Sequence, residues 1–107
     1  MEKPQMTEKL AHIRDIIVPI FAKYEIHRLG VFGTYALGME SETSNVDIWC
    51  ERGKVTSFQP LMDLEKEVKQ ALQLPINIVF SDADISPYNL QVVTATFLDF
   101  TPDAYKE

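Results

Sequence analysis

Three short stretches of this 107-residue chain combine residue types that can do chemistry. In Val31-Phe32-Gly33-Thr34-Tyr35-Ala36-Leu37-Gly38 a strand-like run ends on a glycine and a hydroxyl residue, and a short helix or turn is expected over Thr34 to Leu37. Backbone N–H groups left free at such a start, with the Thr34 hydroxyl beside them, form a concavity suited to phosphate. Ser44-Asn45-Val46-Asp47-Ile48 opens a second strand. Positions 45 and 47 alternate with Val46, so their side chains leave the same face, where paired carboxylates would bridge metal ions. Asn77, inside Ile76-Asn77-Ile78-Val79-Phe80, lies where a further carboxylate would complete that arrangement. Among positions 45, 47 and 77 only Asp47 is a carboxylate.

The flanking sequence supplies the elements that must hold these stretches in place. Leu10, Ile13, Ile16, Ile17, Ile20, Phe21 and Tyr24 recur at helical spacing behind Thr7, a natural N-cap. Pro19 falls inside this helix and is expected to kink or split it, because proline removes a backbone hydrogen bond and crowds the preceding turn. Ile26 to Phe32 then reads as the first strand, Gly38 to Ser44 as an acidic loop, and Asn45 to Glu51 as a second strand paired with the first. The connection of about a dozen residues leaves their relative direction open. Ser57 is placed to cap a helix with Leu61, Leu64, Val68, Ala71 and Leu72 on one side and a solvated face of Glu65, Lys66, Glu67, Lys69 and Gln70 on the other. Leu74-Pro75 stops it before the apolar strand Ile76 to Phe80. Ser86-Pro87 is an N-cap followed by proline at the first helical position, and Tyr88 to Phe100 is read as a helix, although Val92, Val93, Thr94 and Thr96 favour a strand.

This order predicts one α+β domain over residues 1–107, its core within about 7–101, with a small mixed sheet of roughly three to four strands packed with helices. A chain of this length buries roughly two-thirds of its unfolded surface, enough for a single core. Its 10 Lys plus Arg against 16 Asp plus Glu give a net charge of -6. The sequence pI near 4.8 argues against a broad basic surface, so DNA is not an expected partner. Cys50 is the one cysteine, which rules out an intramolecular disulfide, and it reads as a core thiol. The absence of any run of about 18 apolar residues, and of an apolar leader, predicts no membrane association and a cytoplasmic location. His12 and His27 lack partners at metal-ligand spacing. Glu40, Glu42, Asp82 and Asp84 could supply replacement metal ligands but read as solvated loop carboxylates.

The Phe32-to-Gly38 turn, the Ser44-to-Ile48 stretch and their spacing resemble the minimal nucleotidyltransferases of the DNA polymerase β superfamily. In that family a Phe-Gly-Ser-Tyr-Ala-Arg-Gly-like turn precedes a short acidic loop, Ser-Asp-x-Asp on the next strand, and one more Asp on a later strand. The likeness extends to Ile16-Ile17-Val18-Pro19-Ile20, to the helix from Ser57 to Leu72 and to Ile76-Asn77-Ile78-Val79, nearly the whole chain. It implies a polymerase β palm-like fold, nucleotide binding at Gly33 and Thr34, and catalytic positions at Asn45, Asp47 and Asn77. ATP and Mg²⁺ are the cofactors it implies, the strand carboxylates holding the metal ions.

Here the residues depart from the pattern. Asn45 and Asn77 keep the shape of Asp without its charge, while hard Mg²⁺ ions prefer charged oxygens. At an effective dielectric near ~20, each charge lost at about 4 Å removes several kcal/mol of attraction. Asn77 also lacks a basic lone pair for taking a proton. Leu37 stands where the family commonly has Arg, and Thr34 where it has Ser. Asp47 is left as a weak metal ligand at most, and Asn45 and Asn77 are expected to hydrogen-bond each other and Thr34 across the pocket. The expected function is therefore a catalytically impaired, partner-binding module. By resemblance it is the antitoxin of a pair whose other half is a helical HEPN-type protein, in a homo- or hetero-oligomer. The alternatives are an active transferase moving a nucleoside monophosphate from ATP to a protein, RNA or small-molecule hydroxyl, and a nucleotide-binding sensor.

Overall fold

Thr7 caps the first helix, its Oγ1 accepting the Leu10 N–H at 3.2 Å. In the computed structural model, which describes residues 4–106, this helix, α1, runs over Glu8–Ala22 without a break at Pro19. The expected split does not occur, and exposure explains why. The carbonyl deprived of its partner belongs to Asp15, and both Asp15 and Pro19 lie on the exposed side, where water replaces the lost N–H. Leu10, Ile13, Ile17 and Phe21 form the opposite, buried face.

Strand β1 is Leu29–Phe32, shorter than the Ile26-to-Phe32 run. Strand β2 is Val46–Cys50, antiparallel to β1, with Leu29 opposite Cys50 and Phe32 opposite Asp47. Helix α2 (Phe58–Leu72) then crosses over to β3 (Ile76–Phe80), which lies parallel to β2. Ser57 is the N-cap of α2, yet its side chain makes no capping bond. Pro60 occupies the third helical position and has no N–H to donate. Helix α3 covers Pro87–Thr96, with Ser86 Oγ accepting the Asn89 N–H at 3.2 Å. It ends before Phe100, and Leu98–Asp99 form a two-residue strand, β4, antiparallel to β1. Gly30 permits this, since a Cβ there would stand 2.3 Å from the Leu98 carbonyl oxygen and 2.5 Å from the Phe97 ring. The mixed sheet has the order β3-β2-β1-β4.

The core lies between the sheet and the α1/α2 pair, where Leu29, Val31, Val46, Ile48 and Cys50 meet Ile17, Phe21, Leu64 and Val68. Glu67 is not a merely solvated charge. It accepts the Tyr24 hydroxyl at 2.7 Å and pairs with Lys23, tying the end of α1 to α2. Helix α3 lies against β1 and buries only Val93. None of the described helices is long and apolar enough to cross a membrane.

Candidate functional site

Parallel pairing of β2 with β3 sets Asp47 directly beside Asn77. Alternation along β2 buries Val46, Ile48 and Cys50 and leaves Asp47 and Trp49 half-buried on the other face. Asn77 Nδ2 donates to Asp47 Oδ1 at 3.2 Å. From the β1 side Gly33 closes on the same carboxylate. Its φ is +77°, and a Cβ at this position would stand 2.7 Å from Asp47 Oδ2, so both backbone conformation and space call for glycine. Burial raises the Asp47 carboxyl above its ordinary value near 3.8, and the Asn77 hydrogen bond partly opposes this.

The chain from Gly33 to Gly38 forms hydrogen-bonded turns rather than a helix, with Leu37 N–H on Gly33 O at 3.2 Å and Met39 N–H on Thr34 O at 2.9 Å. The expected free amide at Gly33 is in fact used internally, donating to Thr96 Oγ1 at 2.8 Å. Gly33 thus shapes the site, and Thr34, exposed on the turn, carries the hydroxyl that faces solvent.

Asn45 departs from its expected place. The β2 ladder begins at Val46, whose N–H donates to Pro75 O at 2.8 Å, and Asn45 is exposed just before it. It does not join the hydrogen bond between Asn77 and Asp47, and Thr34 is not bridged to either. The polar pair that forms is Asp47 with Asn77. Glu40 pairs with Lys9 at 2.7 Å and Asp82 with Arg52 at 3.0 Å, so neither is a spare ligand. Among the described residues no group of three or more His, Cys, Asp and Glu side chains is placed to hold a metal ion. Cys50 is fully buried and its thiol is pushed up to about 12, which makes it inert as a nucleophile. His27 stacks on Tyr105 at 3.9 Å between ring centroids.

A cavity of about 550 Å³ opens over this pair. Phe32, Gly33, Thr34, Asp47, Asn77 and Val79 from the sheet and the glycine turn line it together with the stretch from Ala83 to Ser86 and with Tyr88, Asn89 and Val92 of α3. Its size lies within the range of small-molecule sites, roughly 300–1,000 Å³. Asp84, read from the sequence as a solvated loop carboxylate, lines this cavity, and the contribution of Tyr88 and Asn89 has no sequence signal, because the Ser86-Pro87 cap marks a helix start but not its approach to the Gly33 turn. Thr96, which fixes that approach, carries no recognisable signal.

No family model matches the chain. Among curated proteins it is 33% identical over 67 residues to MJ0435 of Methanocaldococcus jannaschii, named as an inferred protein adenylyltransferase, covering 63% of this chain and 72% of that protein. MJ0126 of the same organism, named likewise, is 27% identical over 66 residues, 62% of this chain and 67% of its own. Among solved structures, a chain of a mutant toxin–antitoxin MntA-HpeT superposes with a TM-score of 0.67 at 17% identity, covering 81% of this chain and 71% of that one. A toxin–antitoxin crystallised with AMP-PNP gives a TM-score of 0.67 at 18% identity with the same coverage.

Proposed function

This chain belongs to the minimal nucleotidyltransferases of the DNA polymerase β superfamily, and from that premise we propose that it is a transfer-impaired member that binds an adenine nucleotide and acts by holding a partner protein. The observation that carries this reading is the state of the carboxylate set. Asp47 stands beside a neutral Asn77 that donates a hydrogen bond to it, while Asn45 lies outside the cavity.

One carboxylate and one amide do not fit a pair of Mg²⁺ ions, which ask for several charged oxygens in octahedral sets. The chain's own residues do something simpler. Thr34 offers a hydroxyl to phosphate oxygens, Gly33 lets the backbone approach Asp47, and Asp47 supplies one negative charge able to meet a cation that a triphosphate brings with it. The AMP-PNP in one toxin–antitoxin structure and the adenylyltransferase names of the relatives support an adenine nucleotide.

The toxin–antitoxin structures support a partner protein; the reading takes that partner to be of the helical HEPN kind and the pair to work in the cytoplasm. An acidic chain of net charge -6 is suited to covering a basic RNA-cleaving surface. Beside the cavity, Met39, 62% exposed, shares a groove with Leu37, Val92 and Ala95, an apolar surface open to a partner. Incubation with ATP labelled at the α-phosphate, with a helical HEPN-type protein from the same genome as the candidate partner, tests both halves. The reading expects a complex on size exclusion and no label on either protein. Label transfer abolished by Asp47→Ala would overturn the impairment, and failure to form a complex would overturn the partner role.

A further inference from the structure

Resting on the reading that this cavity takes a nucleotide, we propose that its α3 side is a nucleobase subsite in which the Tyr88 ring stacks on the base and the Asn89 side-chain amide reads adenine. The cavity lining is of two kinds. Gly33, Thr34, Asp47 and Asn77 suit phosphates, whereas Val79, Ile85 and Val92 are apolar. Tyr88, on α3, lines the cavity with 73% of its surface exposed, and it also borders the neighbouring apolar groove of Leu37 and Met39. The ring is therefore a ridge with two open sides, the form of a stacking platform rather than of a core residue.

Two hydrogen bonds fix this platform relative to the residues that suit phosphates. Ser86 Oγ accepts the Asn89 N–H at 3.2 Å and sets the first turn of α3, and Thr96 Oγ1 accepts the Gly33 N–H at 2.8 Å and ties its last turn to the glycine turn. Asn89 thereby keeps its exposed side-chain amide for a ligand at the cavity wall. An amide pairs its oxygen with the adenine N6 amino group and its nitrogen with N7, whereas guanine offers acceptors at both matching positions. Adenine over guanine, and purine over pyrimidine, follow from those two side chains.

The test is calorimetric titration of the full chain with MgATP, MgGTP, MgCTP and magnesium tripolyphosphate. The proposal expects ATP to bind at least about tenfold more tightly than CTP or tripolyphosphate, the scale of one stacked base. Tyr88→Ala should bring ATP down to the tripolyphosphate level without changing tripolyphosphate itself, and Tyr88→Phe should retain ATP affinity. Asn89→Ala should erase the preference for ATP over GTP. Equal binding of tripolyphosphate and every nucleotide, or ATP affinity unchanged in Tyr88→Ala, would overturn the base subsite while leaving the nucleotide reading intact. If no ligand binds, tripolyphosphate included, the nucleotide reading falls and this proposal falls with it.

Discussion

Replacing Gly33 by alanine tests the geometry of the site most directly, because two separable costs meet at one atom. The first is conformational. Gly33 has φ of +77°, where an L-residue costs about 1 kcal/mol relative to glycine. The second is spatial, since the new Cβ would lie 2.7 Å from Asp47 Oδ2, closer than such atoms come. The carboxylate must swing away, losing the Asn77 hydrogen bond and crowding its neighbours, for about a further 1–2 kcal/mol. The total of about 2–3 kcal/mol corresponds to a Tm drop of roughly 10–20 °C for a domain of this size. Gly38 supplies the control. Its φ is +71° but nothing lies within 4 Å of its Cβ position, so Gly38→Ala should carry only the first cost, a drop of roughly 4–8 °C. Urea unfolding followed by circular dichroism measures both, and a double-mutant cycle isolates the carboxylate. In an Asp47→Ala background Gly33→Ala should cost no more than Gly38→Ala, leaving a coupling of about 1–2 kcal/mol. Equal penalties at Gly33 and Gly38, or strict additivity with Asp47→Ala, would refute the wedged carboxylate.

The remaining expectations concern the groups around that wedge. Because burial raises the Asp47 carboxyl, the folded state holds this proton more tightly than the unfolded one. The penalty on its charge is absent below the ordinary value near 3.8 and complete once the pH has risen past the folded value. Asp47→Asn should therefore raise Tm at pH 7 by roughly 2–5 °C and leave it unchanged at pH 3, and a gain of equal size at both would count against burial as the cause. Thr96→Val leaves the Gly33 N–H without its acceptor and should cost about 1–2 kcal/mol, with hydrogen exchange at Gly33 accelerated. A variant as protected as the parent at that amide would show that Thr96 does not hold the turn.

Local chemistry made much of the fold legible. The Thr7 and Ser86 caps, the apolar stripe of α1 and the turn chemistry at Gly33 each express a preference of a few neighbouring residues, and each stands as its sequence implies. What escaped was set by distant parts of the chain. Pro19 does not divide α1 because the orphaned Asp15 carbonyl faces water, a matter of which side of the helix the core occupies. Strand β4 interrupts a helical pattern only because Gly30, about seventy residues earlier, leaves room for Leu98 and Phe97. At the candidate site, the family pattern singled out Asp47 and Asn77 as positions, and the parallel register of β2 and β3 makes them neighbours. Asn45 matched the pattern in spacing, but it stands exposed just before the first paired residue of β2 and does not line the cavity. Tyr88 and Asn89 went unnoticed because their place depends on the tether from Thr96 to Gly33, a bond across 63 residues.

The Asp47–Asn77 pair also says what an amide, rather than a carboxylate, does at this point of the sheet. Two carboxylates side by side on parallel strands repel unless a cation lies between them. An amide at position 77 turns that repulsion into a hydrogen bond, so the site holds its shape without metal while giving up the charge that a second ion would need. Asn77→Asp reverses the exchange. At about 4 Å and an effective dielectric near ~20 the bare repulsion is about 4 kcal/mol. The exposure of residue 77 lets water screen much of it, leaving about 1–2 kcal/mol and a Tm lower by roughly 5–10 °C in chelator at pH 7. Acid should restore stability, since one protonated oxygen again donates to its neighbour, and millimolar Mg²⁺ or Mn²⁺ should restore it at neutral pH, which in the parent chain changes Tm far less. Differential scanning fluorimetry across pH and metal concentration reads all three effects. An Asn77→Asp chain as stable in chelator as the parent would mean that the two side chains do not share one site, whatever the register of their strands.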